Sequence, residues 1–320
     1  MKSRTKYLLT DDEIKKIYSK YSSESIDKIN VLSNGEFNSV YLIESNDQKY
    51  VLKVGTNLLI DVMPHEKNMI SNEVFWYKKI KEHTNINIPD ILYHNTTKEI
   101  INADYFIMSY INGNELDIDK LETTNKLNAI NEKMKIIADF HNIKSDKFGY
   151  ITDRLFENWY DAIKNMVTNI KDKSLSLGKD IFNSNRLLDF IEINKEVLIN
   201  VQSSAVFFDL WDSNILIDDN DYYVIDPERC FYGDPICDFV ATVFTQTLEE
   251  GRDSILLYNQ YSQNKIEINN ETEIRYKVAL GYLALIMEVE KYLRYEEDHE
   301  LYKRNDGISK WLFSLIWNKE

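Results

Sequence analysis

Two spacings of apolar residues alternate along the chain. Between residues 29 and 54 the apolar and polar positions alternate with a period near two, the pattern of half-buried strands. Residues 29–32, 40–45 and 49–54 are the predicted strands there, with Asn46 and Asp47 as the turn between the last two. Residues 89–93 and 103–108 add two more. Elsewhere the spacing is three to four. Thr10 followed by Glu13 is a capping-box pattern and opens a helix to about residue 20. Residues 67–81 carry Ile70, Val74 and Tyr77 at helical spacing. Leu127, Ile130, Met134, Ile137 and His141 form a third stripe, and Val278, Tyr282, Leu285, Val289 and Tyr292 mark a long helix over 271–294. Residues 155–200 read as helical, with charged breaks around 171–179. Strands early and helices late predict an α+β chain with a five-stranded antiparallel sheet and a mostly helical remainder.

One late stretch departs from that division. Residues 215–217 and 222–225 are short β-prone runs around an Asp-Asp-Asn-Asp turn, which predicts a hairpin. Such a hairpin returns Asp226, at its exit, beside Asn214, at its entrance. Asp209 lies five residues before Asn214. Asp209, Asn214 and Asp226 therefore converge, and three oxygen-bearing groups suit a hard divalent cation plus one base. That is the arrangement of kinase-like phosphoryl transfer.

Earlier in the chain, the polar run Ser33-Asn34-Gly35 separates two strands, where backbone N–H groups can lie over phosphates. It is no P-loop, since no Gly-Lys-Ser/Thr follows. Lys53 stands on an apolar strand, and an unpaired buried ammonium is costly, so it needs an acidic partner. Glu73 on the following helix is the first candidate, and Glu66, seven residues earlier on the same face, is the alternative. Met108-Ser109-Tyr110-Ile111-Asn112-Gly113 switches from apolar strand to polar connector and marks a boundary. His141, closing an apolar stripe, reads as structural.

These segments, taken in order, resemble the aminoglycoside phosphotransferase family, the small-molecule branch of the protein-kinase-like fold. Its catalytic loop reads H-G-D-L-x-x-x-N and its metal segment I-D-[FWP]-E, followed by a Y-G-D-P-x-x-D-like run. Here Asp209-Leu210-Trp211-Asp212-Ser213-Asn214, Ile225-Asp226-Pro227-Glu228 and the run from Tyr232 to Asp238 match, while Phe207 and Phe208 replace the His and Gly. The resemblance covers most of 29–245 and implies a bilobal fold: an N-lobe over 1–108, a hinge over 109–114 and a C-lobe over 115–320. It implies Asp209 as catalytic base, Asn214 and Asp226 as Mg²⁺ ligands, and Lys53, positioned by Glu73, on the phosphates of ATP or GTP. Ser33, Asn34 and Gly35 would cover those phosphates. The main chain of Ser109 and Ile111 would meet the adenine, with Met108 behind it. Asp238 would brace the catalytic loop, with Asp234 and Glu228 as supporting acids. The implied activity is transfer to a hydroxyl of a small molecule, an antibiotic or a metabolite such as a sugar, choline or methylthioribose. Methylthioribose kinases share I-D-P-E but lack the asparagine present here. A catalytically inactive binding module is the alternative of a different class.

Composition narrows the partners. The 320 residues are 43% apolar and 12% aromatic with nine Gly and four Pro, a folded, helix-rich chain. Its net charge of −15 disfavours nucleic acid and anionic membranes. Residues 1–150 hold 20 Lys/Arg against 22 Asp/Glu, whereas residues 151–320 hold 18 against 31, so the acidity belongs to the half expected to take the acceptor. Glu249, Glu250, Glu288, Glu290 and Glu296-Glu297-Asp298 are the acids that lead to the expectation of a cationic acceptor. Cys230 and Cys237 form neither a disulfide framework nor a zinc site and read as free thiols of a reducing compartment. With no signal-peptide pattern and no apolar run long enough to span a bilayer, a cytoplasmic monomer is expected.

Overall fold

The computed structural model describes residues 4–32, 37–244 and 247–317. Helix α1 (Asp11–Tyr18) starts at the predicted capping box: the Thr10 hydroxyl accepts from the Glu13 amide and the Glu13 carboxylate from the Thr10 amide. Its apolar face, Ile14, Ile17 and Tyr18, packs with Tyr41, Ile43, Leu52 and Ile107 into one face of the sheet. That sheet holds β1 (Lys28–Leu32), β2 (Ser39–Ser45), β3 (Gln48–Val54), β4 (Ile91–Asn95) and β5 (Tyr105–Ser109) in the order β1-β2-β3-β5-β4. All pairings are antiparallel. Asn46 and Asp47 take positive φ at the β2–β3 turn, where short polar side chains tolerate the left-handed region. Helix α2 (Met69–His83) lies on the other face, with Ile70, Val74 and Tyr77 against Val51, Phe106 and Met108.

The chain then leaves the sheet through residues 110–113 into β6 (Asn114–Glu115). Helices α3 (Thr123–Phe140), α4 (Trp159–Ser176), α5 (Phe182–Ile193) and α6 (Lys195–Ile199) follow. Next come β7 (Ser204–Val206), β8 (Ile215–Asp218), β9 (Asp221–Val224), β10 (Phe231–Gly233) and helices α7 (Phe239–Thr242), α8 (Arg252–Tyr261), α9 (Asn270–Arg294) and α10 (Glu300–Trp317). The predicted hairpin is β8–β9, with Ile215 opposite Val224 and Asp218 opposite Asp221.

Two expectations shift. The α4 helix runs through Lys171 to Ser176, because charged residues on an exposed face do not break a helix whose Ile163, Val167 and Ile170 are buried. On α3, Leu127 is 63% exposed, and the buried face is made by Ala129, Lys133, Met134, Ile136, Ile137 and Phe140. The α9 helix is buried nearly all round, lying among α4, α5, α6, α7 and α10. No helix among the described residues is long and apolar enough to cross a membrane.

Candidate active site

Lys53 lies within the buried end of β3, Val51 to Val54, with its stem in the sheet and its ammonium beneath α2. Three carboxylates meet it: Glu73 of α2 at 2.8 Å, Glu228 at 2.8 Å, and Asp226, which it also contacts directly. Burial disfavours the charged lysine, but Asp226, Glu228 and Glu73 outweigh it and hold the pKa well above its ordinary value. On the acid side, burial pushes Glu73 well up against the opposing pull of Lys53. Glu228 is raised to about 7, by burial first and then by the Asp226 charge. Glu66, the alternative partner, is turned elsewhere: it accepts from the Met63 amide at 2.9 Å and pairs with Arg294.

The metal segment follows the hairpin. Asp226 sits at φ +66, and its N–H donates to the Tyr77 hydroxyl at 3.0 Å. The Ile225 amide donates to the Asn214 carbonyl at 3.0 Å, so the two ends of the hairpin are adjacent as the pattern predicts. Asn214 donates its side-chain N–H to the Asp209 carbonyl at 2.7 Å, which joins the catalytic-loop aspartate to the same corner. The Asp226 carboxylate is instead drawn toward Lys53. Glu73, Asp226 and Glu228 each offer an oxygen within 4.8 Å of the others.

Asp209 has both carboxylate oxygens engaged. The Trp211 indole N–H donates to Oδ1 at 2.6 Å, and the Arg229 Nε lies 3.7 Å from Oδ2. Burial raises its pKa, and Arg229 works against that rise. The loop carrying it is fastened from below by Asp238, whose carboxylate accepts from the amides of Phe207 at 3.1 Å and Phe208 at 2.6 Å. His141 bonds the same carboxylate through Nε2 at 2.8 Å and reaches Tyr258 through Nδ1 at 2.8 Å, both in the interior. Phe207 fills its position by packing its ring 4.2 Å, centroid to centroid, from Phe140. Phe208 takes φ +63, the left-handed conformation that a glycine adopts freely and a phenylalanine only under strain. Its ring, against Phe231 and Tyr282, offsets that strain by burial.

Of the remaining candidates, Met108 lies in the α2-side core, and the Ser109 N–H is committed to the Asp90 carbonyl at 2.9 Å. Ile111 lies on the connector between β5 and β6, half-buried. Ser33, Asn34 and Gly35 lie outside the described residues. Pattern reading passed over several groups. Asn38 donates to Glu228 at 2.5 Å, Asn72 donates to the carbonyls of Glu228 and Cys230, and the buried Lys133 holds Asp212 of the catalytic loop at 2.8 Å. Arg275 on α9 is another: its Nε and Nη2 grip Asp234, the expected supporting acid, at 2.6 and 2.5 Å. A buried lysine in an apolar stripe, such as Lys133, was the one signal available in the sequence.

Comparison with known structures gives close overall likenesses. A protein from Haemophilus somnus 129PT provisionally assigned as a fructosamine-3-kinase superposes with a TM-score of 0.68 at 16% identity, over 93% of this chain and 96% of that one. A protein from Ralstonia eutropha JMP134 provisionally assigned as an aminoglycoside phosphotransferase gives 0.69 at 13% identity, over 97% of each. The gentamicin complex of APH(2")-IIa gives 0.64 at 20% identity, over 95% and 97%. At these identities the likeness is one of fold, the bilobal protein-kinase-like fold. Comparison with curated proteins gives no match. The profile of the phosphotransferase enzyme family (APH) matches residues 28–264, about twenty residues beyond the region the motifs mark, and the chain belongs to that family.

Proposed function

We propose that this protein transfers the γ-phosphoryl group of ATP or GTP to a hydroxyl of a small, cationic acceptor, with Mg²⁺. The observation that carries the reading is a buried Lys53 ion-paired to Glu73 and Asp226, beside a catalytic loop whose Asp209 keeps a quarter of its side chain exposed. Asp209 receives the hydroxyl proton; a carboxylate hydrogen-bonded at one oxygen and facing a cation at the other is oriented for that transfer. Lys53 meets phosphate charge and Glu73 positions it. Asn214 spends its amide N–H on Asp209 and so keeps its oxygen for a cation, while Asp226 is 37% exposed, and both are hard oxygen donors of the kind Mg²⁺ takes. When bound, the metal neutralises phosphate charge. Ser33, Asn34 and Gly35 cover the phosphates, and Met108, Ser109 and Ile111 line the adenine side. The division into 1–108, 109–114 and 115–320 and the cytoplasmic monomer belong to the same reading; Cys230 and Cys237 are both free and buried, as a reducing compartment allows.

An aminoglycoside is the leading acceptor, and a metabolic acceptor is the second reading. Two observations favour the second: one structural likeness is to a provisional fructosamine-3-kinase, and several acids expected to face a cationic acceptor are already paired. The test is release of nucleoside diphosphate from MgATP and MgGTP across aminoglycosides, macrolides, glycated amines, sugars and choline. At least one acceptor is expected to stimulate release, and Asp209→Asn to lower kcat by about two to four orders of magnitude with nucleotide KM little changed. Unchanged turnover in that variant removes Asp209 from the role. Nucleotide binding with no acceptor phosphorylated leaves the binding-module reading standing instead.

A further inference from the structure

Behind Asp209 lies a second charged cluster that transfer of the phosphoryl group does not itself require. Arg229 directs Nε toward Asp209 at 3.7 Å and donates through Nη2 to Glu290 of α9 at 2.6 Å, with Glu66 at 3.8 Å from the same nitrogen. Arg294, one turn further along α9, reaches the same Glu290 oxygen at 2.9 Å and bonds Glu66 directly. Glu66, Arg229, Glu290 and Arg294 are all buried. The Arg294 guanidinium also stands over the Phe37 ring, 5.0 Å from its centroid, two residues before β2. Four buried charges are a poor way to hold a helix. An ion cluster of this kind is often no more stabilising than apolar residues of the same volume. The α9 helix has such residues already: Val278, Leu285 and Val289 are fully buried on it. What an arginine between two acids does provide is direction, because its planar fork fixes where each N–H points.

We propose that Arg229, Glu290 and Arg294 are positioning residues for the Asp209 carboxylate, so that α9 belongs to the catalytic apparatus and is not only a wall of the acceptor side. This rests on the reading of Asp209 as the base. Glu290 aims Arg229 by a hydrogen bond with Glu66 nearby, Arg229 sets a positive charge opposite Oδ2, and Trp211 hydrogen-bonds Oδ1. With Oδ1 hydrogen-bonded and Oδ2 facing a guanidinium that Glu290 fixes, rotation of the carboxylate away from the acceptor hydroxyl is disfavoured. Arg294 closes the cluster on the far side of Glu290 and carries the contact with Phe37.

The test uses the full chain, MgATP or MgGTP, and whichever acceptor of the panel above, water included, gives the fastest release. Arg229→Lys keeps the charge and loses the fork. Its kcat is expected to fall by about 100-fold, the cost of a small misplacement of a reacting group, with nucleotide KM unchanged. The paired variant Arg229→Gln/Glu290→Gln keeps the net charge of the cluster and leaves Arg294 paired with Glu66, and should fall equally while melting as a folded protein. In the Asp209→Asn background, Arg229→Lys should cost nothing further, because there is no carboxylate left to position. Wild-type kcat in Arg229→Lys, or the same fold loss with and without Asp209, overturns the proposal while leaving Asp209 as the base. Undiminished turnover in Asp209→Asn alone, or no turnover by the wild type, defeats the base assignment first and this proposal with it.

Discussion

Asp238 anchors the loop that carries Asp209 from outside it. Its carboxylate takes the amides of Phe207 and Phe208 and the ring of His141, all in the interior. The loop is held at these two backbone amides, and Phe207, where the family pattern has a histidine, packs on Phe140. Replacing Asp238 with Ala strands two amides and an imidazole, and should cost about 3–5 kcal/mol in urea unfolding. A loss under 1 kcal/mol would mean the loop is held some other way. His65 is a different case. Its Nε2 has no partner among the described residues, and its ring stacks on Tyr150. Burial first, and then the Arg229 charge, lower its pKa to about 3. A histidine so depressed is neutral in the fold and takes a proton more readily when unfolded. Its contribution is therefore complete above the unfolded value near 6.5 and declines as pH falls toward 3, at about 1.4 kcal/mol per pH unit. His65→Phe should flatten the acid side of the stability curve by about one proton's worth. Parallel curves for the two proteins between pH 6.5 and 4 would show that His65 does not stay neutral.

At the scale of elements, α2 is fastened to residues 226–230 and not merely laid on the sheet. Asn72 donates to the carbonyls of Glu228 at 2.8 Å and Cys230 at 3.0 Å, Glu73 meets Lys53, and Tyr77 accepts from the Asp226 amide. Residues 73 and 77 are one helical turn apart and share a face with 72 beside them, so a single helix surface sets Lys53, Asp226 and Glu228 together. Asn72→Leu leaves two buried carbonyls without donors. It should destabilise by about 2 kcal/mol and weaken Mg–nucleotide binding several-fold, read by calorimetry. Unchanged affinity in a folded Asn72→Leu protein would show that α2 need not grip this segment.

At the scale of the molecule, the −15 net charge is not a free acidic surface. Glu290 is neutralised inside by Arg229 and Arg294, Glu249 faces Arg252, Glu296 bonds Arg4, and Glu297 lies 3.8 Å from Lys179. These pairs remove part of the field that the sequence distribution promised. The excess that remains should still draw a cationic acceptor, whose KM is then expected to rise with ionic strength between low salt and about 0.15 M, where exposed charges are screened beyond about 8 Å. A best acceptor that is neutral or anionic, or a KM indifferent to salt, would show that charge does not select the substrate.

What the sequence determined by itself is local. Period-two runs set β1 to β3, short apolar runs marked β4 and β5, the Thr10–Glu13 pair set the start of α1, and the Asp-Asn turn and its flanks set the β8–β9 hairpin that returns Asp226 to Asn214. Those signals survive in one dimension because neighbours two, three or four residues apart share a face whatever the rest of the chain does. The Asp209–Asn214 spacing was legible for the same reason. The partners of the buried charges were not. Lys53 meets Glu228 across 175 residues, Arg294 meets Glu66 across 228, and Arg229 meets Glu290 across 61. Nothing periodic marks such pairs among 53 acids and 38 bases. The same holds for the buried face of α3, where Lys133 is buried against Asp212 and Leu127 is left in water. Which charge is buried against which follows from how the helices close on the sheet, and only the tertiary structure decided it.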